Sequence, residues 1–290
     1  MNSSFRIFVR ALLPTGQEHL PLPLRKLTMS KQRVVLLSLL LVLLSRALSS
    51  QAVPSRLHAG PVFDFHAPPG DPYAETIRQD AFASIAEIES FFGAPFPDPI
   101  HFHLVPARPE FDQALARFDL GPTQCWMVGM GTADLIVLLS PQAWPKQACE
   151  HDPADRQATR RLIAHELIHV YHGQFNAARD FAGMDDLDWL VEGLAVFGSG
   201  QLTKDRIEQT RTAAAAGQLP VSLSKVWTGP SRYAFAGSLI RYIDRTWGRP
   251  ALVRLLKVHT SAQALALLGV SEEKLLAGWR AALALDASPQ

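Results

Sequence analysis

A surplus of charge is the first thing this sequence lacks. Its 28 Lys and Arg stand against 27 Asp and Glu, a formal charge of +1. No basic stretch stands out, so the electrostatic footprint of a nucleic-acid-binding protein is missing. Internal repeats and low-complexity tracts are missing too, which sets aside solenoids and compositionally biased chains. Apolar runs long enough to span a bilayer are also wanting. The best candidate, residues 34–45, is mostly Leu and Val, but a spanning helix needs about 20 such residues. Cysteine is scarce: Cys125 and Cys149 are the only two, and neither lies near residue 52, where a lipoprotein would need one. What remains is 48% hydrophobic residues over 290 positions, enough for one large globular domain or two small ones.

The short apolar run has an informative setting. Lys31, Gln32 and Arg33 precede it, and Ser50-Gln51-Ala52 follows, with small residues where a signal peptidase reads them. A positive n-region, a short h-region and a small-residue site make a secretory signal peptide. An uncleaved membrane anchor is the other reading. Signal peptides begin a chain, and Met29 directly precedes Ser30 and the basic residues, so translation is expected to start at Met29. Residues 1–28 are then an upstream extension of the reading frame and 29–52 the signal peptide. The mature chain begins near Val53, exported to a periplasm or secreted, with no stable membrane insertion. Both cysteines fall in the exported part. An even pair in an oxidising compartment leads us to expect a Cys125–Cys149 disulfide; two buried free thiols are the alternative.

Periodicity divides the rest into strands followed by helices. Strands are expected at 62–66, 100–105, 126–130 and 133–140, the last two joined through Gly129 and Gly131. Within the last, Asp134-Leu135-Ile136-Val137-Leu138-Leu139 reads, after its first residue, as a continuous apolar run, as a well-covered strand does. Asp71-Pro72 and Gly93 bracket a helix with Ile77, Ala81, Ile85, Ile88 and Phe92 on one stripe. His101 and His103 share one face of the second strand, where a two-histidine metal pair is conceivable and a half-exposed strand the plainer reading. Residues 141–151 read as a loop. Asp152-Pro153 with Asp155 launches another helix, and only helices follow, including 188–200, 231–247 and 271–285. The fold class is α+β. A strand-rich lobe spans 59–151, with a small mixed sheet and one helix, and an all-helical lobe spans 152–290.

The chemistry concentrates in Arg161-Leu162-Ile163-Ala164-His165-Glu166-Leu167-Ile168-His169-Val170-Tyr171-His172. On an α-helix, His165 and His169 stack on one face, so two imidazoles can hold one metal ion. Glu166, about 100° around the helix from His165, can address a water at that metal. Neutral imidazole suits a borderline-soft Zn²⁺, and an adjacent carboxylate is needed to take a proton. Apolar neighbours surround these groups, and burying them unpaired costs several kcal/mol. His172 is a further candidate near the metal, or else lies on the helix flank. A tetrahedral zinc needs one more protein ligand plus water. Trp189-Leu190-Val191-Glu192-Gly193 offers a carboxylate in an apolar helix, which needs zinc or an arginine as partner. Asp185, Asp186 and Asp188 are either solvated loop charges or groups that orient a ligand histidine.

His165-Glu166-x-x-His169 followed by Trp189-Leu190-x-Glu192-Gly193 resembles the gluzincin metallopeptidases, the group of thermolysin and the zinc aminopeptidases. It is most similar to the compact bacterial peptidase-MA-like domains. The resemblance implies a zincin-like fold with its active site between the two lobes. His165, His169 and Glu192 would bind zinc and Glu166 would be the general base, hydrolysing peptide bonds of a peptide or protein substrate by a metal-activated water. Tyr233, ahead of Gly237-Ser238-Leu239-Ile240-Arg241-Tyr242, resembles the tyrosine that such enzymes bring to the oxyanion; a core tyrosine is the alternative. Residues 133–140 resemble the edge strand that aligns substrate. Three features depart from the pattern. The interval between His169 and Glu192 is longer, Val191 replaces the usual asparagine, and Gly129-Met130-Gly131-Thr132-Ala133 replaces the aminopeptidases' amine-binding motif. A non-catalytic, zinc-stabilised module of the cell envelope on the same fold is the competing expectation.

Overall fold

Alternation in Phe63-Asp64-Phe65-His66 turns two phenylalanines to one face, and that face starts the core. The computed structural model describes residues 62–118 and 122–286. The expected start at Met29, the signal peptide and the cut after Ala52 lie outside the described residues. All described residues belong to one unit, His58–Gln290. It is a mixed α/β fold with a four-stranded sheet.

Strand β1 (Phe63–His66) pairs in parallel with β2 (Ile100–Val105), and β2 pairs in parallel with β4 (Leu135–Leu139). The short β3 (Gly129–Gly131) runs antiparallel to β4 at the opposite edge, giving the order β1-β2-β4-β3. In β2, Ile100, Phe102 and Leu104 are buried while His101 and His103 on the other face are partly exposed. Asp64 Oδ2 sits 3.4 Å from His101 Nδ1, so these histidines belong to a half-exposed strand, as the plainer reading had it. Every residue of β4 is buried. Ile136 and Leu138 face the main core, whereas Leu135, Val137 and Leu139 face a second, smaller one.

Two expectations about this sheet need correction. The rim strand is not 133–140, because β4 is an interior strand with neighbours on both sides; β3 is the edge. Gly129 and Gly131 are not a connection but the strand itself. A continuous apolar run needs both faces covered, and such a strand also favours the middle of a sheet, where both edges are paired.

Helix α1 (Ala74–Phe92) lays its stripe of Ile77, Ala81, Ile85, Ile88 and Phe92 on the main core, each at most 5% exposed. Burying such side chains stabilises by roughly 1.5–3 kcal/mol each before entropy is counted. Gly93 ends it with φ 80°, its N–H bonding to Glu89 O at 2.8 Å. Helix α2 (Arg108–Leu115), which the sequence reading left unassigned, covers the second face of the sheet through Phe111 and Leu115. The expected loop at 141–151 contains one helical turn, α3 (Trp144–Gln147), whose Trp144 indole bonds to Leu139 O at 2.9 Å. Cys125 and Cys149 are bridged, with Cα atoms 5.2 Å apart, tying the approach to β3 to the loop that enters the next helix.

That helix, α4 (Arg156–Phe175), is capped by Asp155, whose side chain accepts from Ala158 N at 2.9 Å. Residues 163–174 are all buried, so α4 is the central helix of the fold, with α1, β3 and α5 (Asp188–Gly198) packed around it. Then come α6 (Lys204–Ala215), α7 (Arg232–Trp247), α8 (Arg249–Leu255), α9 (Ser261–Leu268) and α10 (Glu272–Asp286). Helices α5 and α7 touch backbone to backbone: a Cβ on Gly193 would lie 2.9 Å from Ala236 O. Among the described residues all strands precede residue 140. One core nonetheless runs from Phe102 through Ile168 and Leu194 to Trp279. No helix among the described residues is long and apolar enough to cross a membrane.

Candidate metal centre

One helical turn separates His165 from His169 on α4, and their rings meet edge to face with centroids 4.7 Å apart. Their Nε2 atoms are 3.1 Å apart. Glu192 arrives from α5, its Oε2 lying 3.4 Å from His165 Nε2 and 3.6 Å from His169 Nε2. Both imidazoles are buried, while the Glu192 side chain is 27% exposed. These three side chains form a group that could hold a metal ion. The fit is quantitative. Tetrahedral zinc with bonds of about 2.0–2.1 Å sets its donors roughly 3.3 Å apart, and the triangle has sides of 3.1, 3.4 and 3.6 Å.

Charge supports the same grouping. Burial works to raise the Glu192 carboxyl, but the imidazoles, His169 foremost, hold it well below the usual carboxylate range. Burial conversely works to lower His169, and the charge and hydrogen bond of Glu192 outweigh it, so His169 is raised. Both Nδ1 atoms are buried and make no hydrogen bond. The aspartates therefore do not orient the imidazoles: Asp186 accepts from Ser261 N at 2.8 Å, and Asp185 and Asp188 lie at the cavity wall. His172 is fully buried on the flank of α4, its ring 5.1 Å from that of Phe181, and burial lowers it to about 3.

Glu166 opens into the same cavity of about 670 Å³ as the three donors. It is 6% exposed; burial raises its carboxyl, with the imidazoles and the Gly131 N–H opposing. What lets β3 lie against it is glycine at alternate positions. A Cβ on Gly129 would come 2.9 Å from Glu166 Oε1, and one on Gly131 would overlap the Glu166 carbonyl. Thr132 N bonds to Leu135 O and Leu139 N to Val128 O. By the alternation of antiparallel pairing, the backbone groups of Gly129 and Gly131 then point away from β4, toward the free edge.

Tyr233 lies in the first turn of α7 and lines the cavity. Its ring packs edge-on to Trp227 at 4.8 Å. Burial first, and then the Glu192 charge, raise its hydroxyl, so it remains an O–H donor. Sequence reasoning missed four other side chains that line this space, Trp126, Phe181, Arg206 and Arg232. Phe181 is bulky yet has φ 62° and packs 5.9 Å from the His169 ring, an uncommon backbone state that no sequence signal announces. The arginines follow no periodicity that points inward. No family model matches the chain, and no curated protein matches it; the site is defined by its own geometry.

Proposed function

We propose that this chain is a zinc-dependent metallopeptidase of the gluzincin kind, exported to an oxidising compartment, with the zincin-like division into a strand-rich and a helical lobe. The observation that carries this reading is the meeting of Glu192 with His165 and His169 while the Glu166 carboxyl opens into the same cavity. Zinc held by these three residues would supply a Lewis acid that polarises a peptide carbonyl and lowers the pKa of water. Glu166 takes a proton from the attacking water at its carboxylate and returns it to the leaving amine. Its raised pKa brings the base closer to the working pH. Tyr233 donates its O–H to the developing oxyanion. The free edge of β3 pairs with an extended substrate through backbone groups of Gly129 and Gly131. A module that only bound zinc would gain nothing from a buried carboxylate beside the ligands, since burial of that group is costly. Chelation followed by zinc return tests the proposal: peptide hydrolysis should vanish and then recover, and hydrolysis that persists in the chelated protein would count against it.

A further inference from the structure

Charge is distributed unevenly along the cavity. Ala133 N bonds to Arg179 O at 3.2 Å, which brings Asp180 beside the C-terminal end of β3; Asp180, Asp185 and Asp188 all line the cavity. At the N-terminal end, next to Trp126 and Met127, a basin of about 200 Å³ is lined by Arg206 and Arg232. The Arg232 guanidinium lies 5.4 Å from the Trp126 ring, 5.6 Å from Trp227 and 5.0 Å from Tyr233. Arg206 lies 4.9 Å from the same Tyr233 ring, and its Nη1 donates to Gln201 O at 2.8 Å. The two cations therefore flank one side chain of the candidate active site.

Neither guanidinium has an ion-pair partner among the described residues. Glu150 also borders the basin, but it is exposed and pairs with neither. A partly buried cation without a counter-ion is costly unless a ligand supplies one. A guanidinium has five N–H donors; Arg206 commits Nη1 to Gln201 O and Arg232 hydrogen-bonds Tyr233, and the donors that remain on each suit a carboxylate.

We propose that Arg206 and Arg232 form a carboxylate-binding subsite beside the metal centre, taking the C-terminal carboxylate or an Asp or Glu side chain of the peptide substrate. The proposal rests on the peptidase reading above. Where the anion is the C-terminal carboxylate it also sets a direction: a peptide on the free edge of β3 then places its C-terminal end at the arginines and its N-terminal side toward Asp180. That orientation is antiparallel to β3.

The test uses zinc-loaded full-length Glu166→Gln protein and three N-acetylated peptides of one sequence: a free acid, a C-terminal amide, and an amide carrying one added Glu. Binding is read by calorimetry, and kcat and KM are measured on the wild type. The free acid, the Glu-bearing amide or both should bind about tenfold tighter than the plain amide, and which of them does so identifies the source of the carboxylate. Replacing both arginines by Gln should abolish that difference and raise KM more than it lowers kcat; replacement by Lys should keep most of it. Equal binding of all three peptides would overturn the subsite while leaving a cleaving enzyme a peptidase. Acid-selective, arginine-dependent binding without any wild-type cleavage would uphold the subsite and overturn the peptidase reading instead.

Discussion

Nε2 of His165 stands 3.4 Å from Oε2 of Glu192, two atoms on different helices held together by the packing of α5 on α4. If that meeting is a metal site, removing the carboxylate removes one ligand in three. Glu192→Ala is expected to weaken zinc binding by about 100-fold or more, read by competition with a chromophoric chelator. Wild-type affinity in the variant would mean that the metal, if any, is held elsewhere.

On the proposed reading, protons compete with metal at the same atoms. His169 is raised above 6.5, so below its pKa each zinc must displace a proton. Affinity should fall about tenfold per pH unit there and level off above. In the metal-free chain the same pair contributes to stability. The raised His169 contributes fully below 6.5 and loses its contribution as pH rises through its folded value. The depressed Glu192 contributes above 4.5 and loses its contribution as pH falls through its folded value. The stability advantage of the metal-free wild type over Glu192→Gln should therefore peak between 4.5 and 6.5. A difference independent of pH in denaturant titrations would show that the pair is not coupled as described.

The two glycines of β3 should separate stability from turnover. Gly131→Ala sets a Cβ against the Glu166 backbone carbonyl, which cannot rotate away, and is expected to cost about 1–3 kcal/mol. Gly129→Ala meets the carboxylate end of Glu166, which can turn aside at the expense of the position that the proposed mechanism gives it. It should cut activity more than stability. Equal unfolding midpoints for wild type and Gly131→Ala would contradict the close approach.

Reduction of the Cys125–Cys149 bridge opens a loop with a sequence separation of 24. The expected loss is about 3 kcal/mol in the chain-entropy account, visible as a lower thermal midpoint in reductant. An unchanged midpoint would mean that the connection between the β3 approach and α4 is held by packing alone.

How much of this was legible beforehand depended on the range of the interactions. The His165–His169 pair and Glu166 were readable because helical spacing is local, and Asp155 and Gly93 were readable because caps are local too. The apolar run of β4 announced a covered strand, and it was the resemblance that put the edge at 133–140; the short β3, three residues with two glycines, carries too little pattern to be recognised as the edge. Helices α2 and α3, of 8 and 4 residues, are too short to fill the window of about 11–18 residues over which a helical apolar stripe stands out. The approach of Glu192 depends on α5 packing against α4, a tertiary arrangement. Arg206 and Arg232 sit at the starts of two separate helices, and only the fold brings both to the Tyr233 ring.

The central claim is that a base acts beside a bound metal, and Glu166→Gln isolates it because the substitution keeps the side-chain volume and leaves all three donors in place. Metal content and peptide-library cleavage should be measured on this variant beside the wild type. The expected result is one zinc per chain in both, with cleavage in the wild type and turnover lower by orders of magnitude in the variant. Undiminished cleavage by Glu166→Gln, or a wild type that holds zinc but cleaves no peptide, would contradict the claim.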